Sequence, residues 1–244
     1  MNIGVIFAGG VGKRMNTKSK PKQFLDLNGK PIIIYTIELF DNHSDIDAIV
    51  VVCVESWIPY LQKMIRKFEI NKVVRIVAGG ASGQESIYHG LCAVEEYVKG
   101  QKDSNPIVLI HDGVRPLITE GTISDNIAKV KECGSCITTV PAIETVIINN
   151  KNEKKLKIPK RSNCLMARAP QSFYLKDIIE AHRKSQSEGK IDFIDSCSLM
   201  NYYGYELGLV QGPMENIKIT TPTDYFVLRA MVEVHENQQI FGIY

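Results

Sequence analysis

Tryptophan occurs once in 244 residues, and neither sign of charge is in excess: 29 Lys and Arg face 27 Asp and Glu, a formal net charge of +2. So even a balance, with a single tryptophan, argues against nucleic-acid binding. No apolar run approaches the ~20 residues needed to cross a bilayer, which excludes a membrane partner of that kind. The amino terminus, MNIGVIFAGG, has no basic segment ahead of its short apolar stretch. That argues against a secretory signal and predicts a cytoplasmic protein. Repeats, linkers and low-complexity tracts are also missing. What remains is an average globular composition, 44% hydrophobic and 23% charged. A chain of this mass can bury about 70% of its surface, so a single domain over residues 1–244 is expected.

The six cysteines, Cys53, Cys92, Cys133, Cys136, Cys164 and Cys197, are scattered through mostly apolar segments and read as reduced thiols. One pair has CxxC spacing, Cys133 and Cys136. A redox CxxC opens a helix after a strand, whereas this one follows a helical pattern and runs into a strand. A zinc site would need a second close pair of Cys or His, and none is present. A structural role is the expectation.

Short apolar runs at 2–7, 48–54, 73–77, 107–111 and 137–140 alternate with helical patterns at 31–40, 56–68, 83–98 and 123–132. Such alternation implies crossover units on a mainly parallel sheet, a three-layer α/β sandwich of Rossmann-like type. Ligands of such sheets lie beyond the carboxyl ends of the strands, so the loops after Phe7, Val77 and His111 are where a site is sought. The rhythm breaks at 141–160, where apolar and polar residues alternate about Asn149-Asn150-Lys151-Asn152, the pattern of a protruding β-hairpin. An isolated hairpin is marginally stable, so this arm is expected to pack on something, a second subunit in a homodimer being the natural choice. The α/β pattern resumes with a strand at 164–168, helices at 175–187 and 194–203, and a strand at 206–210. Thr221, Pro222 and Asp224 then start a last helix as N-cap, N1 and N3.

The first loop reads Ala8-Gly9-Gly10-Val11-Gly12-Lys13-Arg14-Met15. A P-loop built on Gly12-Lys13 would need Gly where Phe7 stands and Ser or Thr where Arg14 stands, and a dinucleotide fingerprint would need Gly at Met15. Both motifs fail, and with the second goes a nicotinamide-dependent dehydrogenase. What is left is a glycine-rich backbone that can approach a base or phosphates, followed by Lys13, Arg14, Lys18, Lys20 and Lys22. By charge density alone, a solvated basic loop remains open beside a phosphate site.

The segments AGGVGKRM (8–15), PKQF (21–24), HDGVRP (111–116), APQSF (169–173) and NIKIT (216–220) fall in register along nearly the whole chain. Together they resemble the CTP-dependent polyol-phosphate cytidylyltransferases. The resemblance implies a nucleotidyltransferase that joins CMP from CTP to a polyol phosphate and releases pyrophosphate, with Mg²⁺ as cofactor. Two acceptors are known for the family, D-ribitol 5-phosphate and 2-C-methyl-D-erythritol 4-phosphate. Ala142-Ile143-Glu144-Thr145 and Ser56-Trp57 are more similar to the ribitol branch. The absence of a Ser/His/Asp set or paired carboxylates fits, since a phosphate nucleophile is already ionised and the chemistry rests on positioning and fixed charge.

By that resemblance Arg14, Lys22 and Lys218 are catalytic, Arg14 and Lys22 neutralising the triphosphate and the leaving pyrophosphate and Lys218 lying near the α-phosphate and the incoming substrate. Ala8, Gly9, Gly10, Gly80 and Ser86 form the nucleotide pocket. Asp112, Arg115, Thr145 and Arg161 serve the polyol phosphate, with Thr145 and Arg161 reaching in from a partner's arm and Asp112 also near the metal. An inactive nucleotide-binding relative would share the fold, but would have no reason to keep three converging cations. Two departures stand out. Ala81-Ser82-Gly83-Gln84-Glu85 lacks the Asp and Arg that many members carry there, and Ser82 with Glu85 has capping-box spacing instead. Ala169 stands where the family usually has Thr, with Arg168 beside it.

Overall fold

The run Ala48–Cys53 is apolar at every position, too apolar for a strand with one wet face, and all six residues are buried. It lies inside a mostly parallel sheet, between two parallel neighbours, in the structure, a computed structural model that describes residues 1–10, 20–149 and 155–241. The strands are β1 (Asn2–Ala8), β2 (Asp26–Leu27), β3 (Lys30–Pro31), β4 (Ala48–Cys53), β5 (Val73–Ala78), β6 (Ile107–Asp112), β7 (Ser135–Pro141), β8 (Leu165–Tyr174) and β9 (Leu209–Gln211). The helices are α1 (Ile32–Asp41), α2 (Ile58–Lys67), α3 (Gly83–Val98), α4 (Glu120–Cys133), α5 (Leu175–Ser187), α6 (Ser196–Tyr202) and α7 (Pro222–Phe241). Seven strands form the main sheet in the order β5-β4-β1-β6-β8-β7-β9, while β2 and β3 make a separate two-stranded ribbon.

Alternate residues of each central strand feed opposite cores, which makes the three layers. Ile49, Val51 and Cys53 of β4 join Ile6 of β1 under α1, α2 and α4, where Ile33, Ile37, Phe40, Leu61 and Ile127 pack. Ala48 and Val50 join Val5 on the other face, under Ile87, Leu91 and Val94 of α3 and Ile178 of α5. A third cluster, Leu27, Ile32, Val114, Ile219 and Leu228, seats α7 beside the ribbon. At about 25 cal/mol per Å² of apolar surface removed from water, these clusters are the main favourable contribution to folding.

β1 pairs in parallel with β4 on one side and β6 on the other. The chain therefore reverses its direction of travel across the sheet at β1, which opens a crevice beyond its carboxyl end. β8 departs from the expected short strand at 164–168. It runs for ten residues, antiparallel to both β6 and β7, and carries Ala169 to Phe173 inside the sheet. β9 is likewise shorter and later than the strand expected at 206–210.

Of the arm, the described part shows one antiparallel bridge, Ile148 to Lys157, with backbone hydrogen bonds of 2.8 and 3.2 Å. Its base continues the β7–β8 ladder, where Pro141 pairs with Leu165 and Ala142 N–H donates to the Cys164 carbonyl. Ile143, Ile147, Ile148, Leu156 and Ile158 are exposed along it. Cys133 closes α4, its Sγ donating to the Lys129 carbonyl, and Cys136 is buried in β7, where burial pushes its thiol up to about 12. Cys136 is thus a neutral packing element of the sheet. Among the described residues no helix is long and apolar enough to cross a membrane.

Candidate active site

Two glycine loops meet at the end of β1. A Cβ on Gly79 would stand 2.8 Å from Gly9 Cα, and one on Gly9 would stand 2.8 Å from Ser86 Oγ, so any side chain here would force the loops apart. Ser86 fastens the second loop: its hydroxyl accepts from Gly80 N–H at 3.0 Å and donates to the Ser82 carbonyl at 2.8 Å. The capping box expected from the sequence is formed in one half, and its return bond falls one residue early, on Ala81 instead of on Ser82. Ser82 Oγ accepts from Glu85 N–H, and Glu85 Oε2 accepts from Ala81 N–H. Helix α3 thus starts at the cleft with its first-turn N–H groups facing the loops, a favourable setting for anions.

Gln23 fixes the first loop. Its side chain, 1% exposed, donates from Nε2 to the carbonyls of Ala8 and Gly10 at 2.6 and 3.2 Å. The single turn Lys22–Phe24 sets Gln23 inward and leaves Lys22 at the rim, where its Nζ donates to the Ile219 carbonyl at 2.8 Å. The backbone of Ile219 in turn donates to the Val114 carbonyl at 3.0 Å, which brings the 217–219 segment against the loop after β6.

That juxtaposition places Lys218 against Asp112. Lys218 Nζ lies 2.5 Å from Asp112 Oδ1, and Arg115 Nε lies 2.8 Å from Asp112 Oδ2. Burial raises the Asp112 pKa, but Lys218 and Arg115 outweigh it and hold the carboxyl down at about 2. Asp112 is therefore an anion at neutral pH. The Lys218 side chain is 40% exposed against 8% for Asp112, so the ammonium keeps an open face toward the cleft. Arg115 is more constrained: its second contact is the Asn216 carbonyl at 2.8 Å, and it positions Asp112 from behind.

The result is a cleft of about 560 Å³ walled by Ala8, Gly9, Gly10, Gly80 and Ser86, with Lys22, Asp112 and Lys218 at its far side. Eight of the twelve sequence-derived site residues thus line one cavity. Arg115 faces an adjoining pocket of about 280 Å³ that shares Phe7, Gly83, Asp112 and Lys218 with the first and adds Arg168, Ala169, Gln171, Asp195 and Ser196. Thr145 and Arg161 reach neither: both are exposed on the arm, and Arg161 donates to the Ile143 carbonyl at 3.1 Å. Arg14 lies outside the described residues. Sequence reasoning passed over Gln23 as a site residue, although it stands within the quoted PKQF, and gave Arg168 no role. Among the described residues no three His, Cys, Asp or Glu side chains converge as a metal site.

Residues 3–234 match the family model described as 2-C-methyl-D-erythritol 4-phosphate cytidylyltransferase, IspD. The ribitol-5-phosphate cytidylyltransferase of Vibrio parahaemolyticus is 52% identical over 242 residues, covering 99% of this chain and 100% of that protein. The enzyme of the same name from Streptococcus agalactiae is 52% identical over 243 residues, with full coverage of both. Among solved structures, the 4-diphosphocytidyl-2C-methyl-D-erythritol synthase of Anaerococcus prevotii superposes with a TM-score of 0.80 at 23% identity, over 95% of this chain and 96% of that one, which bears on the fold. With the family model spanning nearly its whole length and relatives above half identity end to end, the chain belongs to the IspD family of cytidylyltransferases.

Proposed function

We propose that this protein transfers CMP from CTP to D-ribitol 5-phosphate, giving CDP-ribitol and pyrophosphate. The observation that carries the reading is a base-sized, glycine-walled cleft joined to a second pocket through one shared pair, Lys218 and Asp112. A donor nucleotide and a phosphorylated acceptor need such a pair of pockets with a cation at the junction. The naming of the closely similar relatives supports ribitol 5-phosphate as acceptor.

In this mechanism the backbone of residues 8–10 and 80, with Ser86, holds cytosine and excludes the larger purines by size. Lys22, joined by Arg14, neutralises charge on the β- and γ-phosphates. A phosphate oxygen of the acceptor attacks the α-phosphorus; the new P–O bond forms as the α–β bridge breaks in line, and pyrophosphate leaves. No general base is needed, because the second pKa of the acceptor phosphate is about 6. Lys218 draws the two anions together, its position fixed by Asp112. A Mg²⁺ needs only one or two protein carboxylates beside substrate phosphates, and Asp112, the one acidic side chain lining the cleft among the described residues, would be the residue to hold it. Such an ion supplies further charge neutralisation at the triphosphate.

The exposed isoleucines of the arm support a homodimer in which each arm lies on the other subunit and brings Thr145 and Arg161 to its acceptor pocket. The test is pyrophosphate release with CTP and Mg²⁺ against D-ribitol 5-phosphate and 2-C-methyl-D-erythritol 4-phosphate in parallel. Ribitol 5-phosphate should be the faster acceptor and CTP should exceed UTP, with ATP and GTP poor. Turnover with neither acceptor would overturn the reading.

A further inference from the structure

The pocket adjoining the nucleotide cleft holds a guanidinium that the mechanism above does not use. Arg168 is half-buried, and its Nε is out of solvent with no hydrogen-bond partner among the described residues. The nearby carboxylates are engaged elsewhere. Asp112 is divided between Lys218 and Arg115. Asp195 caps α6, accepting from Ser198 N–H and hydroxyl on one oxygen and from Gln171 Nε2 on the other. Burial, and after it the Arg115 guanidinium, hold Arg168 below the ordinary arginine range, as befits a cation facing a cation.

The pocket therefore sets Lys218, Arg115 and Arg168 against two carboxylates, Asp112 and Asp195, a surplus of one positive charge. A phosphate monoester carries close to two negative charges at neutral pH and three strong acceptor oxygens. A guanidinium binds such a group in a two-pronged fashion, and a buried Nε–H without an acceptor is costly to leave unmet. A neutral hydroxyl cannot balance the charge.

We propose that Arg168 binds the phosphate of the incoming polyol phosphate and holds it against Lys218 at the wall the two pockets share. The inference rests on reading the smaller pocket as the acceptor site. Ser196 Oγ, buried and without a partner among the described residues, is then available to a hydroxyl of the polyol chain. The acceptor phosphate is thus met by an arginine of the same subunit, on β8, whatever the partner's arm contributes.

The test compares wild type with Arg168→Met and Arg168→Lys. KM for D-ribitol 5-phosphate should rise about 10- to 100-fold in Arg168→Met, the range of one charge-assisted hydrogen-bonded contact, while CTP affinity by calorimetry stays within about twofold. Arg168→Lys, which keeps the charge and loses the fork, should fall between the two. Inorganic phosphate supplies a readout independent of turnover: it should bind wild type, compete with ribitol 5-phosphate, and lose affinity in Arg168→Met. An unchanged KM, or phosphate bound equally well by wild type and Arg168→Met, overturns the assignment, as does a wild type that binds no phosphate. Wild type that binds phosphate through Arg168 but turns over no polyol phosphate would leave the assignment standing and defeat the proposed reaction instead. Circular dichroism and melting in the presence of CTP separate loss of binding from loss of fold, and if Arg168→Met does not fold, Arg168→Lys carries the comparison.

Discussion

At the scale of single residues, the site is a set of charges tied to backbone carbonyls and to one another. Lys22 reaches the Ile219 carbonyl, so Lys22→Ala removes a tether together with the proposed phosphate contact. Its turnover should fall about 10²–10³-fold with the fold intact, as for loss of one preorganised electrostatic contact, and steady-state pyrophosphate release measures it. Gln23 matters through what it holds. Gln23→Ala would leave the buried carbonyl of Ala8 without its 2.6 Å donor, and a urea titration should show about 1–3 kcal/mol less stability, with weaker CTP binding by calorimetry. A pH effect follows from His182, which burial pushes down to about 4. Between pH 6.5 and 4 the unfolded chain takes up a proton that the folded chain refuses. The stability from its neutral state is complete above pH 6.5 and drains away as pH falls toward 4, by about 1.4 kcal/mol per unit. The urea midpoint should therefore be lower at pH 5 than at pH 7, and His182→Gln should narrow that gap; an equal gap in the variant would assign the effect elsewhere. Lys22, Asp112 and Lys218 were legible as residue types in motifs. Their pairing was not, because Asp112 and Lys218 meet only when the 217–219 segment hydrogen-bonds to the loop after β6, a contact between distant stretches with no local signature.

At the scale of elements, the cleft depends on the closeness of two loops. Gly79→Ala would put a methyl 2.8 Å from Gly9 Cα, backbone against which nothing can yield cheaply. It should cost about 1–3 kcal/mol of stability and weaken CTP binding at least tenfold, checked by melting and calorimetry on the same preparation. The central strands and α1 to α5 announced themselves through apolar periodicity and caps: Ser82 accepts from Glu85 N–H, and Asp224 accepts from the backbone of Thr220 and Thr221 at the start of α7. β8 did not. Its Pro170 reads as a strand breaker, yet the strand runs through it to Tyr174, paired with β6 and β7. The arm is also less regular than its alternation implies, with the Ile148–Lys157 bridge as its one pairing outside named strands among the described residues.

At the scale of the whole molecule, the exposed apolar arm makes a shared site testable by counting. If Lys22→Ala and Arg161→Ala are each inactive and are refolded together in equal amounts, half the dimers are hybrids, each with one intact site and one doubly defective site. About a quarter of wild-type activity should return, whereas a site within one chain returns none. Light scattering checks the dimer on which the count depends. The position of β8 has a separate consequence. Because it enters the sheet antiparallel between β6 and β7, the walls of the nucleotide cleft come from residues before 115 and after 217, while Arg168, Gln171, Asp195 and Ser196 come from the stretch between. The smaller pocket thus takes one wall from the internal segment and shares the other, Phe7, Gly83, Asp112 and Lys218, with the cleft. A chimera that takes residues 135–200 from a relative with another acceptor should shift its acceptor preference and still demand CTP, which pyrophosphate release with each acceptor measures.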